Sequence, residues 1–175
     1  MIDDLRYPIG PFTPVTPATP AVRAASIEAI AALPERLRAA VAGLDDSQID
    51  TPYRDGGWTV RQVVHHLGDS HMNGFIRVKL ALTEDQPTIK PYDEAAWARL
   101  ADARLPIDLS VGLLDALHRR WAAIYAAMAP ADFDRVFIHP ELEGPQTLDR
   151  HVQTYAWHGR HHVAHIAALR RRAGW

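Results

Sequence analysis

The sequence predicts an all-α fold, an antiparallel four-helix bundle with a proline-rich N-terminal arm. Four long segments place apolar residues three and four positions apart, which is the spacing of one helix face. A threonine that can cap a helix precedes three of these segments. No segment alternates apolar and polar residues convincingly enough to indicate a strand. Since composition does not change along the 175 residues, we expect one domain over residues 1–175, with the arm at 1–19.

Prolines at every third position define the arm. They are Pro8, Pro11, Pro14, Pro17 and Pro20. Proline removes an amide donor and disfavours helix in the preceding residue, so an extended, polyproline-type conformation is expected. Thr19 can then cap a first helix that has Pro20 at its first position and an apolar stripe from Ile27 to Leu44. Pro34 should kink or divide this helix.

A turn at Asp55–Gly57 separates the first helix from the second. Thr59 and Gln62 form a capping-box pattern, which starts a helix that runs to about Leu82. Two prolines make residues 85–91 a loop.

The second half of the chain contains a short helix and two long ones. Residues 93–103 favour a short helix, and the third long helix carries inward apolar residues from Val111 to Met128. Residues 133–143 should be irregular. Thr147 caps the last helix, which continues to about Arg172.

Composition excludes several classes of protein. Lysine and arginine number 19 against 21 acidic residues, a formal net charge of −2, so no nucleic-acid footprint is visible. Neither a targeting segment nor a membrane-length apolar run is apparent, and we expect a cytoplasmic protein that contacts no membrane. Ten histidines and no cysteine leave imidazole, carboxylate and water as metal ligands.

The last helix contains two histidine pairs spaced four apart, an arrangement in which both rings can share one ion. The pairs are His158 with His162 and His161 with His165. The inward stripe consists of Val152, Tyr155, Gly159, Val163 and Ile166. His158 and His162 lie on or beside that stripe, with Gly159 leaving room for an ion or substrate, whereas His161 and His165 are expected in an outer shell or at the surface.

A third ligand has to come from another helix, and the second helix offers three histidines. His65 points away from its apolar stripe, while helical geometry leaves His66 and His71 both open. If His71 is not a ligand, we expect it to be a buried histidine whose hydrogen bonds are satisfied, or one that lines the site. Asp69 could fix the tautomer of an imidazole ligand from a second shell, or it could simply face water.

Three neutral imidazoles suit Zn²⁺ or Ni²⁺ and leave positions for water, as in catalytic sites. Metal-bound water or a substrate thiolate would then be the nucleophile. The spacing does not select a general base from Asp69, Glu141 and Glu143. The remaining histidines are expected to be structural, namely His118, His139 and His151.

Several long motifs resemble one known family. They are "YPIGPF" at 7–12, "TPYRDGGWTVRQVVHHLGDSHMN" at 51–73, "YAWHGRHHVAHI" at 155–166 and the terminal "GW". Together they resemble the DinB/YfiT-like family, in particular its YfiT branch of metal-dependent hydrolases, over nearly the whole chain.

The resemblance implies a four-helix bundle, one Zn²⁺ or Ni²⁺ per subunit and a homodimer. The family's first ligand follows the tryptophan of G-G-W by eight positions, which places it at His66, and the H-x-x-x-H pair places the others at His158 and His162. The implied activity is hydrolysis of a small-molecule substrate. Because the wider superfamily uses low-molecular-weight thiols such as bacillithiol or mycothiol, thiol S-transfer is the alternative, and a non-catalytic bundle with a structural metal staple is a further one.

Overall fold

Four long helices and two short ones make up most of the chain, and the computed structural model describes residues 5–175. The helices are α1 (Pro20–Val41), α2 (Asp46–Ile49), α3 (Val60–Thr83), α4 (Glu94–Trp97), α5 (Asp108–Ala127) and α6 (Leu148–Ala173). A two-stranded antiparallel sheet joins α5 to α6, with strands β1 (Val136–Ile138) and β2 (Pro145–Thr147). The predicted four-helix bundle is confirmed.

Helices α1 and α6 lie side by side and run in the same direction. Near their N-termini, Arg23 Nε lies 2.7 Å from Asp149 Oδ1. Near their C-termini, Arg170 donates a hydrogen bond of 2.8 Å to the carbonyl of Ala40.

Helices α3 and α5 form a second pair of parallel neighbours. His65 meets Ser110 at 2.7 Å, and about two turns further along both helices His71 meets His118 at 3.0 Å. Residues later in α3 contact residues earlier in α6, so these two helices are antiparallel. The bundle therefore has two helices in each direction, with the like-directed helices adjacent.

Parallel neighbours require a connection that returns along the bundle. Residues 84–107 provide it between α3 and α5, and they contain α4 and a 3₁₀ turn at Ala101–Arg104. This crossover is tied to β1, because the amide of Ile89 donates to the carbonyl of Ile138 and the amide of Ile138 donates to that of Pro87. The crossover and the hairpin thereby close one side of the bundle.

Two local predictions need correction, and for Pro34 one of the two predicted alternatives is excluded. Pro34 does not divide α1, which is one helix with that proline buried within it. The segment 93–103 contains α4 and the 3₁₀ turn rather than one helix, and residues 133–143 contain β1. Strands of three residues are too short to show an alternating pattern in sequence.

The arm packs along α6 and contains no helix over residues 5–19; residues 1–4 of the predicted arm lie outside the described part. The side chain of Gln153 accepts from the amide of Val15 and donates to its carbonyl, at 2.9 and 3.1 Å. Trp157 Nε1 donates to the carbonyl of Gly10. Among residues 5–175, no helix combines the length and the apolar character needed to cross a membrane.

Candidate metal centre

Three histidine rings from two helices converge inside the bundle. The candidate ligand atoms of His66, on α3, and of His158 and His162, on α6, all lie within 4.8 Å of one another. The Nε2 atoms of His66 and His158 are 3.2 Å apart. Two nitrogens bound at ~2.0–2.1 Å to one tetrahedral ion would be separated by about 3.3–3.4 Å, so this spacing suits a shared ion.

Local structure accounts for the meeting of these rings. The spacing of four on α6 puts His158 and His162 one turn apart, with ring centroids 4.5 Å apart. The capping box of Thr59 starts α3 at Val60 and so sets the position of the helix that carries His66. The indole of Trp58, just before that cap, packs on His66 at 4.6 Å between centroids.

Burial keeps the three rings neutral at neutral pH. It lowers the pKa of His66 to about 4 and also lowers the pKa values of His158 and His162, with smaller contributions from neighbouring histidines. A neutral imidazole has one lone pair available for a metal. His162 Nδ1 is buried without a hydrogen-bond partner in the described chain, and the group contains no carboxylate. These are the donors that Zn²⁺, Ni²⁺ or a similar divalent ion accepts.

A second row of histidines lies behind His158. His158 Nδ1 is 3.0 Å from His71 Nε2, and His71 Nδ1 is 3.0 Å from His118 Nε2. His118 Nδ1 lies 2.6 Å from the carbonyl oxygen of Ile30 on α1. The candidate centre is thus connected by hydrogen bonds to all four long helices.

A cavity of about 350 Å³ reaches His158. Its wall combines α3 and α6 with the crossover and the hairpin, and includes Arg77, Tyr92, Phe137 and Tyr155. A smaller cavity of about 260 Å³ lies beside His162, under residues of the arm.

The sequence model of the DinB superfamily matches residues 29–166. The chain belongs to the DinB superfamily. A Bacillus mycoides (strain KBAB4) protein, whose name assigns it provisionally to the metal-dependent hydrolases, is 54% identical over 98% of this chain and 99% of its own. A similarly named Bacillus cereus (strain ATCC 14579) protein is 53% identical over 99% and 100%. The solved structure of YfiT from Bacillus subtilis, described as "a probable metal-dependent hydrolase with an unusual four-helix bundle topology", has 47% identity and a TM-score of 0.95, covering 98% of this chain and 99% of YfiT.

In this DinB-superfamily chain, His161 and His165 are buried around His162 rather than at the surface. The indole of Trp157 stacks on His161, and the ring of Tyr53 stacks on His165 at 4.0 Å between centroids. His165 Nε2 also meets the carbonyl of Arg6 at 3.0 Å. Part of this cover comes from outside α6, from Tyr53 and from the N-terminal segment at Arg6, and periodicity within α6 contains no information about those contacts.

The expectation that Gly159 leaves room for an ion or substrate is not met. Leu33 fills the space beside Gly159, since a Cβ at that glycine would lie 2.8 Å from Leu33 Cδ2; the glycine therefore allows α1 to approach and leaves no room for an ion. Asp69 makes no hydrogen bond to the three converging histidines in the described chain. Burial and the charge of Asp102 raise the pKa of Asp69.

Of the other candidate carboxylates, Glu141 lines the larger cavity, and Glu143 is not part of its wall. Sequence reasoning missed Glu94, which enters this cavity from the crossover. It also missed the connection of His118 to the candidate centre. His118 and His71 belong to different helices, and no pattern within either helix signals that their rings meet.

Proposed function

We propose that this chain is a metal-dependent hydrolase of small molecules, with Zn²⁺ or Ni²⁺ held by His66, His158 and His162. The observation that carries the proposal is a largely buried group of three neutral imidazoles, one of which, His158, lines a 350 Å³ cavity. Cavities of about 300–1,000 Å³ are typical of small-molecule sites. The relatives named as metal-dependent hydrolases support the same reading.

The number of protein donors favours an enzyme over a structural staple. Structural zinc sites fill four positions with protein ligands, whereas catalytic sites use three and keep one open. The described chain brings three histidines together and no carboxylate. A divalent ion bound there would polarise a carbonyl and lower the pKa of water toward about 7.

The cavity walls indicate a substrate with an apolar part and a polar group. Phe137 and Leu142 supply apolar surface, and Arg77 supplies a positive charge close to Tyr155. Partial burial and the nearby charge of Glu141 raise the pKa of Glu94, which makes its carboxyl the candidate acid–base group of this cavity.

Metal content tests the site. We expect elemental analysis of the purified protein to find about one divalent ion per chain. His162→Ala should lose that ion. The matched control is His165→Ala, which removes a neighbouring buried histidine from the same helix and should keep the ion. Wild-type protein that binds neither Zn²⁺ nor Ni²⁺, or equal metal content in the two variants, would overturn the assignment.

Turnover tests the reaction. The metal-loaded protein would be assayed on a panel of small esters and amides, with and without small thiols. Turnover in water that disappears in His162→Ala supports hydrolysis. Turnover that requires a thiol would replace hydrolysis by thiol transfer, with the thiol arriving as a substrate because the chain has no cysteine. Turnover that persists in His162→Ala would contradict the metal-dependent mechanism.

A further inference from the structure

A line of three histidine rings runs through the interior from the candidate metal centre to a backbone carbonyl. It consists of His158, His71 and His118, and it ends at the carbonyl oxygen of Ile30. The three contacts measure 3.0, 3.0 and 2.6 Å. We call this line the histidine relay.

Pro34 explains why the carbonyl of Ile30 is free to end the relay. In an α-helix each carbonyl accepts from the amide four residues later, and proline has no amide hydrogen. Pro34 lies four residues after Ile30 within α1. The carbonyl that lacks its helical partner is therefore the one that His118 contacts.

The carbonyl determines the direction of every hydrogen bond in the relay. A carbonyl oxygen only accepts, so His118 Nδ1 must carry a hydrogen. In a neutral ring, His118 Nε2 is then an acceptor, and His71 Nδ1 must donate to it. By the same reasoning His71 Nε2 accepts from His158 Nδ1, which leaves the lone pair of His158 on Nε2, the atom that faces His66.

This direction requires neutral rings, and the surroundings favour them. His71 and His118 both have 0% of their surface exposed. Neither forms an ion pair with a carboxylate of the described residues. Burial also lowers the pKa of His118 to about 4. A charged His71 could donate in both directions and reverse the bond to His158, but an unpaired charge at that depth is costly.

We propose that His71 and His118 are positioning residues, which hold His158 in its Nδ1–H tautomer and so present Nε2 to the metal. In most metalloproteins a carboxylate, a backbone carbonyl or water performs this role directly on the ligand histidine. Here two histidines transmit the constraint from a carbonyl on α1 to a ligand on α6. The inference rests on the proposed metal site for its consequence, whereas the tautomers can be measured with or without metal.

Nuclear magnetic resonance tests the relay on the full-length ¹⁵N-labelled chain, before and after addition of Zn²⁺. Long-range ¹H–¹⁵N correlations within the rings identify the protonated nitrogen. We expect the Nδ1–H form for His118, His71 and His158 in both states. An Nε2–H form of His71 or His158 would overturn the proposal. Failure to bind Zn²⁺ would count against the metal site alone, since the tautomers remain readable.

Variants of His118 separate positioning from packing. His118→Phe keeps a ring but can neither accept nor donate, and it should lower Zn²⁺ affinity by about 10–100-fold while releasing His158 toward the Nε2–H form. His118→Gln offers one acceptor and one donor and should restore both properties. The control His151→Phe removes another buried histidine that touches Trp121 and should change neither.

Equal Zn²⁺ affinities of His118→Phe and His151→Phe would contradict the relay. So would an unchanged tautomer of His158 in His118→Phe. If His118→Phe does not fold, the tautomers of the wild-type protein decide the question.

Discussion

Acid should destabilise this fold through its buried histidines, and His151 allows the contribution of one ring to be measured. It is 4% exposed, and burial lowers its pKa from the ordinary 6.5 to about 3. The unfolded chain therefore binds a proton at higher pH than the folded one. The stability contributed by the neutral ring is complete above about pH 6.5 and decreases as the pH falls toward 3.

The expected magnitude follows from the two pKa values. One unit of pKa shift corresponds to about 1.4 kcal/mol, and between pH 7 and pH 5 the loss from this ring is about 2 kcal/mol. Domains of this size have a total unfolding free energy of about 5–15 kcal/mol. A single buried histidine is therefore a measurable part of the total.

The variant that isolates this effect is His151→Asn. Its amide does not titrate and can still hydrogen-bond to Tyr125 Oη, which lies 2.7 Å from His151 Nδ1. Urea unfolding of chelator-treated protein, followed by circular dichroism at pH 7 and pH 5, gives the free energy of unfolding. The variant should lose about 2 kcal/mol less than wild type between these two pH values.

A control variant, His139→Asn, removes a half-buried histidine of the hairpin that water reaches. This substitution should change the pH dependence of the unfolding free energy much less than His151→Asn does. If His151→Asn and wild type lose equal stability between pH 7 and pH 5, burial of a neutral His151 does not contribute to the acid sensitivity of the fold.

Three further substitutions test the packing and the connections of the bundle. Gly74→Ala should cost about 1–3 kcal/mol in urea unfolding, because its Cβ would lie 2.4 Å from Tyr155 Cζ; Gly112→Ala, whose Cβ meets nothing within 4 Å, should instead stabilise by up to about 1 kcal/mol. A loss of stability in both glycine variants would contradict the explanation by close contact between Gly74 and Tyr155. Thr59→Ala removes the cap of α3 and should lower thermal stability by about 1 kcal/mol, with Thr59→Ser as the rescue. Gln153→Leu removes both side-chain hydrogen bonds to Val15 and should speed amide exchange there, and unchanged exchange would show that other contacts hold the arm.

The helices of this protein could be predicted from local patterns, because each pattern reflects burial of one helix face. Thr19, Thr59 and Thr147 are N-caps in the structure, as predicted, with Pro20 following Thr19 and Gln62 completing the capping box of Thr59. The hairpin and the short α2 were missed, since elements of three or four residues are too short to show a period.

Helix directions also required the tertiary structure. The predicted bundle did not indicate that α3 and α5 are parallel neighbours. That arrangement follows from which helix pairs pack best, and it sends the crossover along the bundle to form one wall of the larger cavity.

For the candidate site, the sequence by itself determined that His158 and His162 share a helix face, since a spacing of four does this in any α-helix. Helical geometry alone left His66 and His71 both open as the third member. Only the tertiary structure decided that His66 joins the group while His71 stands behind His158, because the approach of α3 to α6 depends on packing across the whole bundle. The link from Pro34 through Ile30 to His118 was likewise invisible in sequence. It depends on contacts between α1 and α5, and no local pattern encodes which surfaces two helices bring together.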